Sequence, residues 1–123
     1  MRIEIKDKNN FITMFNKMYP KVNIENINGI TTDSRKVMIN DIYIPIKGNN
    51  CDGHDFIGDA FSKGALASFS ENTTNNSKVI KTKSIVEEII RICKNWKKLS
   101  KTKIIAITGS NGKTTTKDLL YHI

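Results

Sequence analysis

Residues 41–69 read DIYIPIKGNNCDGHDFIGDAFSKGALASF, and this stretch decides the fold. The apolar run at 42–46 predicts a strand, the glycine- and asparagine-rich residues after it predict a loop, and the apolar spacing at 55–63 predicts a helix. Gly64 stands where a helix ends, and the residues at 65–69 predict a second strand. This order of strand, loop, helix and strand is typical of an α/β protein.

The N-terminal side of this stretch continues the alternation of strands and helices. We expect an edge strand at 1–6, a helix that stops before Pro20 and a short strand at 28–32. Pro45 has no backbone N–H to donate. The strand at 42–46 is therefore predicted to lie at an edge of the sheet or at a bulge.

The C-terminal side predicts a short strand at 79–80 and a longer helix at 84–99. Ser84 and Glu87 have the spacing of a capping box at the start of this helix. In the two helices of this half of the chain, the residues predicted to face the core are Phe56, Ile57, Ala60, Phe61, Ile85, Ile89, Ile92, Cys93, Trp96 and Leu99.

Composition excludes several classes of function. The 123 residues suffice for one domain with its own core, and the net charge is +8. Only three of the 20 basic residues are arginine and the lysines are scattered, so we expect no nucleic-acid partner.

No apolar run approaches the ~20 residues that cross a bilayer, and no signal peptide is visible, so we expect no membrane partner and a cytoplasmic location. Cys51 and Cys93 match no metal-ligand spacing and are expected to be reduced.

The chain ends with KIIAITGSNGKTTTKDLLYHI at residues 103–123. The apolar residues 103–108 predict a buried strand, and a helix is expected to begin near Lys113. Glycines between the two let several backbone N–H groups converge on one point, where the helix dipole adds positive potential. Such a turn is suited to binding phosphate groups.

Two side chains of this turn have predicted roles in nucleotide binding. Lys113 would reach the β- and γ-phosphates, and the Thr114 hydroxyl would ligate Mg²⁺. The standard motif has four residues between its glycines, but position 107 carries isoleucine and only two residues separate Gly109 from Gly112. An ordinary strand-to-helix turn therefore remains the alternative.

A second set of motifs lies upstream of the phosphate loop. These are TDSRKV at 32–37, NDIYI at 40–44, KG at 47–48, DGHDFI at 52–57 and KGA at 63–65. In this order and spacing, and together with TGSNGKTTTK at 108–117, they resemble the Mur ligases, the ATP-dependent amide-bond-forming enzymes of peptidoglycan synthesis. The resemblance covers nearly the whole chain.

The resemblance implies an α/β fold in two parts. Residues 1–83 would form a small N-terminal domain with a mixed sheet and flanking helices that binds a UDP-muramoyl peptide. Residues 84–102 would form a connecting helix, and residues 103–123 the first strand, P-loop and helix of a truncated ATP-binding domain. Because ~20 residues cannot form their own core, we expect the residues after about Ser100 to be mobile or docked differently from the family.

The resemblance also implies two groups of ligand-binding residues. Ser34 and Arg35 would lie at the pyrophosphate end of a UDP-N-acetylmuramoyl peptide, because hydroxyl and guanidinium groups suit phosphate oxygens. The other predicted substrate residues are Gly48, Asp52, Gly53 and His54. The residues predicted to bind ATP are Gly109, Ser110, Asn111, Gly112, Lys113, Thr114 and Thr115, with Thr114 also reaching Mg²⁺ through the nucleotide. Without the family, Asp33 is interpreted as capping a local turn, and His54 as having a structural role near a helix start.

Within the family, Ser110, Asn111 and Lys117 resemble the members that add D-alanyl-D-alanine to UDP-N-acetylmuramoyl-tripeptide. Two alternatives remain open. One is the sister ligase that adds the third peptide residue, which usually has threonine at the position of Ser110, and the other is a non-catalytic module that binds UDP-muramoyl peptides. The full reaction needs a complete ATPase domain, a second acidic Mg²⁺ site and a C-terminal domain. We therefore expect no complete catalytic set here and no ligation by the 123-residue chain alone.

Two residues depart from the family pattern. Asn40 stands where glycine is usual, and asparagine tolerates left-handed backbone better than other residues with a side chain, so the turn is expected to survive. Pro45 replaces a small residue, which leaves the pairing of its strand open.

Overall fold

A five-stranded mixed sheet organises the computed structural model, which describes residues 1–99. The strands follow chain order across the sheet: β1 (Arg2–Glu4), β2 (Gly29–Thr31), β3 (Asp41–Tyr43), β4 (Ala67–Ser70) and β5 (Val79–Lys81). β1 runs antiparallel to β2, and the other neighbours are parallel. The mixed sheet and the edge position of the first strand are thus confirmed. The predicted strand at 103–108, the phosphate loop and the helix after it lie outside the described residues.

Helices and 3₁₀ turns connect the strands: α1 (Lys8–Met18), a 3₁₀ turn (Ser34–Lys36), a second 3₁₀ turn (Gly53–Phe56), α2 (Ile57–Ser62) and α3 (Ile85–Leu99). The Ser84 hydroxyl accepts the N–H of Glu87 at 3.2 Å, which confirms the serine half of the capping box. The N–H of Ser84 donates to the Thr82 hydroxyl at 3.3 Å, so Thr82 takes the place predicted for Glu87. No helix within residues 1–99 has the length and apolar character needed to cross a bilayer.

α1 and α3 pack together on one face of the sheet and bury an aromatic core. Phe11 meets Trp96 edge-on with ring centroids 5.6 Å apart, and Phe15 meets Phe69 of β4 at 6.5 Å. Leu99 is the exception among the predicted core residues of α3. It is 48% exposed because it lies at the end of the helix, beyond Trp96, the last buried position.

The opposite face of the sheet carries a smaller core under α2. Ile57 and Phe61 pack against it as predicted. The prediction for Phe56 is wrong, since its side chain is 40% exposed. The chain forms a 3₁₀ turn there, which has three residues per turn and so presents a different face from the α-helix that follows. The buried members of this core are Val37, Tyr43, Ala60 and Ala65.

Backbone conformation confirms two predictions and overturns a third. Gly64 follows α2 with φ +107°, and a Cβ there would lie 2.9 Å from the Cα of Ile39. Asn40 has φ +69°, so the left-handed turn is kept. Pro45 was predicted to place its strand at an edge of the sheet or at a bulge, and the edge position is wrong because β3 is the central strand of the sheet. β3 ends at Tyr43, before the proline, so the missing donor interrupts no strand pairing.

Candidate functional site

An open cleft of about 560 Å³ lies where the chain leaves β2 and β3. These are parallel strands, and their carboxyl ends mark the edge at which α/β sheets bind ligands. The volume falls in the range of small-molecule sites. Four of the predicted substrate residues line this β2–β3 cleft, namely Ser34, Arg35, Gly48 and Gly53.

The turn after β2 forms one wall of the cleft. Asp33 Oδ1 accepts the N–H of Arg35 at 2.9 Å, which confirms its capping role. The Arg35 side chain folds back onto the same carboxylate, with Nε 3.0 Å from Oδ1 and Nη2 3.0 Å from Oδ2. The bonds from the Arg35 side chain, and next from its backbone, lower the pKa of Asp33 to about 2. The Arg35 side chain nevertheless stays 85% exposed, so it remains open to a ligand.

Ser34 is the buried residue of this wall. Its carbonyl accepts a hydrogen bond from Lys63 Nζ at 3.0 Å, and the same ammonium pairs with Asp59 at 3.1 Å. These contacts tie the turn to α2. The residue is only 8% exposed, and its hydroxyl makes no hydrogen bond to any other residue within 1–99. This side chain is therefore a polar group of the cleft with capacity for a ligand.

Residues 46–53, which we call the 46–53 loop, form the opposite wall. The N–H of Gly48 donates to the Cys51 carbonyl at 2.7 Å and closes a tight turn. The N–H of Gly53 donates to the Ile46 carbonyl at 3.0 Å. A Cβ on Gly53 would lie 2.6 Å from the Ile46 nitrogen, so this close approach requires glycine.

Tyr43 supports this wall from β3. Its hydroxyl donates to the Gly53 carbonyl at 2.8 Å, and burial raises its pKa to about 12, so it remains a neutral donor. The motifs did not identify Tyr43 as a cleft residue, although strand alternation places it on the face opposite Ile42 and Ile44. Other lining residues for which the sequence predicted no contact with substrate include Ile46, Cys51 and Phe56.

The predicted substrate residues Asp52 and His54 are not part of the cleft lining. Asp52 Oδ1 accepts the N–H of His54 at 3.0 Å and lies 2.7 Å from its Nδ1, and these contacts lower the pKa of Asp52, the backbone bond most. His54 Nε2 accepts the N–H of Glu71 at 2.9 Å. The bonds agree with a structural role for His54. Direct contact of either residue with a substrate stays a prediction.

The residues predicted to hold ATP and Mg²⁺, at 109–115, lie outside the described residues. Across positions 1–99, no group of three or more His, Cys, Asp and Glu side chains is arranged to hold a metal ion. Cys51 is free and exposed, and Cys93 is free and buried.

Known proteins match this chain over most of its length. A family model described as Mur ligase family, catalytic domain, matches residues 26–109. The UDP-N-acetylmuramoyl-tripeptide–D-alanyl-D-alanine ligase of Bacillus subtilis (strain 168) is 36% identical over 101 residues, covering 79% of this chain and 22% of its own length. The UDP-N-acetylmuramoyl-L-alanyl-D-glutamate–2,6-diaminopimelate ligase of Cytophaga hutchinsonii is 38% identical over 104 residues, covering 79% and 21%.

Solved structures agree with these matches. The MurF ligase from Thermotoga maritima in complex with ADP has a TM-score of 0.58 and 30% identity, covering 69% of this chain and 20% of its own. The UDP-N-acetylmuramoylalanyl-D-glutamyl-2,6-diaminopimelate–D-alanyl-D-alanyl ligase from Acinetobacter baumannii has a TM-score of 0.53 and 28% identity, covering 72% of this chain and 20% of its own. The chain thus spans about a fifth of the length of each relative. The chain belongs to the Mur ligase family.

Proposed function

We propose that the described domain binds the UDP-N-acetylmuramoyl peptide of a peptidoglycan precursor ligase in the β2–β3 cleft. The observation that carries this proposal is the meeting of Ser34 and Arg35 with Gly48 and Gly53 on the walls of one open cleft. These residues come from two separate motifs, and the parallel pairing of β2 with β3 brings them together.

The cleft offers the groups that a nucleoside diphosphate sugar requires. The Arg35 guanidinium is a planar fork of donors, and the Ser34 hydroxyl has no partner within residues 1–99. Both suit the oxygens of a pyrophosphate. Ile46 and Phe56 are 38% and 40% exposed on the cleft, and this apolar surface suits the face of a nucleobase.

The peptide specificity that we propose is the addition of D-alanyl-D-alanine to the UDP-muramoyl tripeptide. Ser110, Asn111 and Lys117 support it. A ligase that adds the third peptide residue is the second candidate, because relatives of both kinds match at 36% and 38% identity. Tighter binding of the tripeptide than of the dipeptide form of the substrate would support the first candidate, and the reverse order would support the second.

For a ligase with the full length of these relatives, we propose ATP and Mg²⁺ as cofactors and a cytoplasmic location. Residues 109–115 would hold the nucleotide, with Thr114 near the metal. Bound ATP would supply the phosphoryl group that activates the substrate carboxylate, and phosphate would leave when the amine of D-alanyl-D-alanine forms the amide bond. Because this chain spans about a fifth of its relatives, ligation is proposed only for the longer enzyme. With ATP, Mg²⁺ and both substrates, we expect the 123-residue chain to release no phosphate above background.

Alkylation of the two cysteines tests the proposed ligand on the whole chain. Cys51 is exposed on the cleft, whereas Cys93 is buried in α3 and burial raises its pKa to about 11, so Cys51 should react first. Saturating UDP-N-acetylmuramoyl-tripeptide should slow the alkylation of Cys51 severalfold. ADP is the control and should leave that rate unchanged. Equal rates with and without the UDP-peptide would contradict the proposal.

A further inference from the structure

Behind the 46–53 loop, His54 is held by both of its ring nitrogens. Nδ1 lies 2.7 Å from Asp52 Oδ1, and Nε2 accepts the N–H of Glu71 at 2.9 Å. A backbone N–H can only donate, so Nε2 must carry the lone pair and Nδ1 the proton. The side chain is only 4% exposed. The two bonds therefore specify one tautomer and leave neither nitrogen available to a substrate.

Glu71 extends this connection to the start of α3. It directly follows β4, and its Oε2 accepts the N–H of Ile85 at 2.8 Å. At the other end, Asp52 pairs with Lys47 across the loop in an isolated antiparallel bridge. A continuous path of hydrogen bonds thus runs from the 46–53 loop through His54 to β4 and α3.

Apolar packing contributes little to holding this loop, because residues 46–51 are all exposed. Segments with few buried contacts open locally at low free-energy cost unless hydrogen bonds restrain them. The conformation of this cleft wall therefore depends on its bonds to the rest of the domain. The groups that make those bonds are the buried imidazole of His54 and the hydroxyl of Tyr43.

We propose that His54 is a positioning residue for the ligand of the β2–β3 cleft, because it fixes the 46–53 loop against β4 and α3 and so keeps Gly48 and Gly53 on the cleft wall. The ligand is the UDP-muramoyl peptide, so this inference rests on the proposed function. His54 acts through the loop and makes no contact with the ligand.

Substitutions at His54 separate its two bonds. His54→Asn keeps a donor near the Nδ1 position but loses the hydrogen bond from the N–H of Glu71. His54→Gln keeps an acceptor near the Nε2 position but loses the hydrogen bond to the Asp52 carboxylate. His54→Leu has a comparable volume and loses both bonds. We expect the 46–53 loop to be best ordered in the wild type, less well ordered in the Asn and Gln variants, and least ordered in the Leu variant.

Amide hydrogen exchange at Gly48 and Gly53 measures the order of the loop without any ligand. Their N–H groups donate to carbonyls within the loop. We expect His54→Leu to speed their exchange about tenfold, and Asn or Gln to speed it less. Nitrogen NMR of the wild-type imidazole should show a protonated Nδ1 and a bare Nε2. The chain has two histidines, so the signals that vanish in the Leu variant identify His54.

Asn16→Ala is the matched control. The Asn16 amide donates to and accepts from the backbone of Ile24 at 2.8 and 2.7 Å, so this variant also loses two hydrogen bonds but leaves the loop intact. Exchange at Gly48 and Gly53 should match the wild type in this control. Equal acceleration in the control and the Leu variant, or none in the Leu variant, would overturn the positioning role.

Titration with UDP-N-acetylmuramoyl-tripeptide distinguishes the two proposals. We expect His54→Leu to weaken binding about tenfold and Asn16→Ala to leave the Kd unchanged. A wild-type chain that binds no UDP-peptide overturns the proposed function. Equal affinity of the wild type and the folded Leu variant overturns the positioning role alone.

Discussion

Arg2–Asp41 and Arg35–Asp33 are two arginine–aspartate pairs with one geometry and different surroundings. In the first, Nε and Nη2 lie 2.7 and 2.8 Å from the two carboxylate oxygens, and the Asp41 side chain is fully buried. In the second, the same two nitrogens lie 3.0 Å from the carboxylate, and the Arg35 side chain is 85% exposed. The two pairs therefore differ in their burial rather than in the geometry of their contacts.

The difference in burial indicates what each pair does. Asp41 also accepts the N–H of Met38 at 2.9 Å, and Arg2 reaches it from β1 across the whole width of β2. Water cannot replace a partner that is lost there, so the pair holds the sheet edge to its centre. Around Arg35, water can replace the Asp33 carboxylate at little cost, so that pair contributes little to stability and leaves the guanidinium available to the ligand that we propose for the cleft.

The largest effect should come from breaking the buried pair. Asp41→Asn leaves the Arg2 guanidinium without its counter-ion, and we expect a loss of about 3–5 kcal/mol in the free energy of unfolding, measured by urea denaturation. Asp33→Asn is the matched control, because it removes the same charge from the exposed pair and should cost much less. Equal losses in the two variants would contradict the role assigned to burial.

Gly29 provides a second test of the buried Arg2–Asp41 pair. The Arg2 side chain passes over this glycine of β2, where a Cβ would lie 2.5 Å from the Ile3 carbonyl and 3.0 Å from Arg2 Nη2. Gly29→Ala should therefore cost about 1–3 kcal/mol of unfolding free energy. Gly58→Ala is the control, since nothing lies within 4 Å of its added Cβ. A Gly29 variant as stable as the Gly58 variant would contradict this close approach.

Local patterns predicted most of the elements. Apolar spacing identified α1 and α3, and short apolar runs identified β2, β4 and β5. Phe56 and Leu99 were misassigned because each lies at a helix end, where helical spacing no longer indicates burial. Pro45 was misassigned because composition does not show where a strand stops.

The hydrogen bonds around the site were predictable only where one motif contains both partners. Asp33 caps a turn two residues away, and that bond follows from the local sequence. Arg2 and Asp41 are 39 positions apart, and His54 and Glu71 are 17 apart. These contacts depend on strand register and loop placement, which no local pattern specifies. The buried pair and the connection to α3 therefore became visible only in the fold.

A smaller effect is expected on the exposed side, and it should fall on binding rather than stability. Arg35→Lys keeps the charge but loses the planar fork that bonds two oxygens at once. We expect an unchanged unfolding midpoint and about tenfold weaker binding of UDP-N-acetylmuramoyl-tripeptide, measured by titration calorimetry. Lys36→Arg, which changes an exposed neighbour, should leave both unchanged. A shifted midpoint with unchanged affinity would make Arg35 a structural residue like Arg2.

The smallest effect should be the pH dependence that Asp33 contributes. Its pKa in the fold, about 2, lies below its ordinary value of 3.8, so the unfolded chain binds this proton more readily. The stabilisation is therefore fully present above about pH 4 and is lost as the pH falls towards 2. Urea midpoints of the wild type and Asp33→Asn should differ slightly at pH 6, converge between pH 4 and 2, and coincide at the acid end. A difference as large at pH 2 as at pH 6 would show that Asp33 stabilises the turn without its charge, and the exposed pair would then be a neutral cap rather than an ion pair.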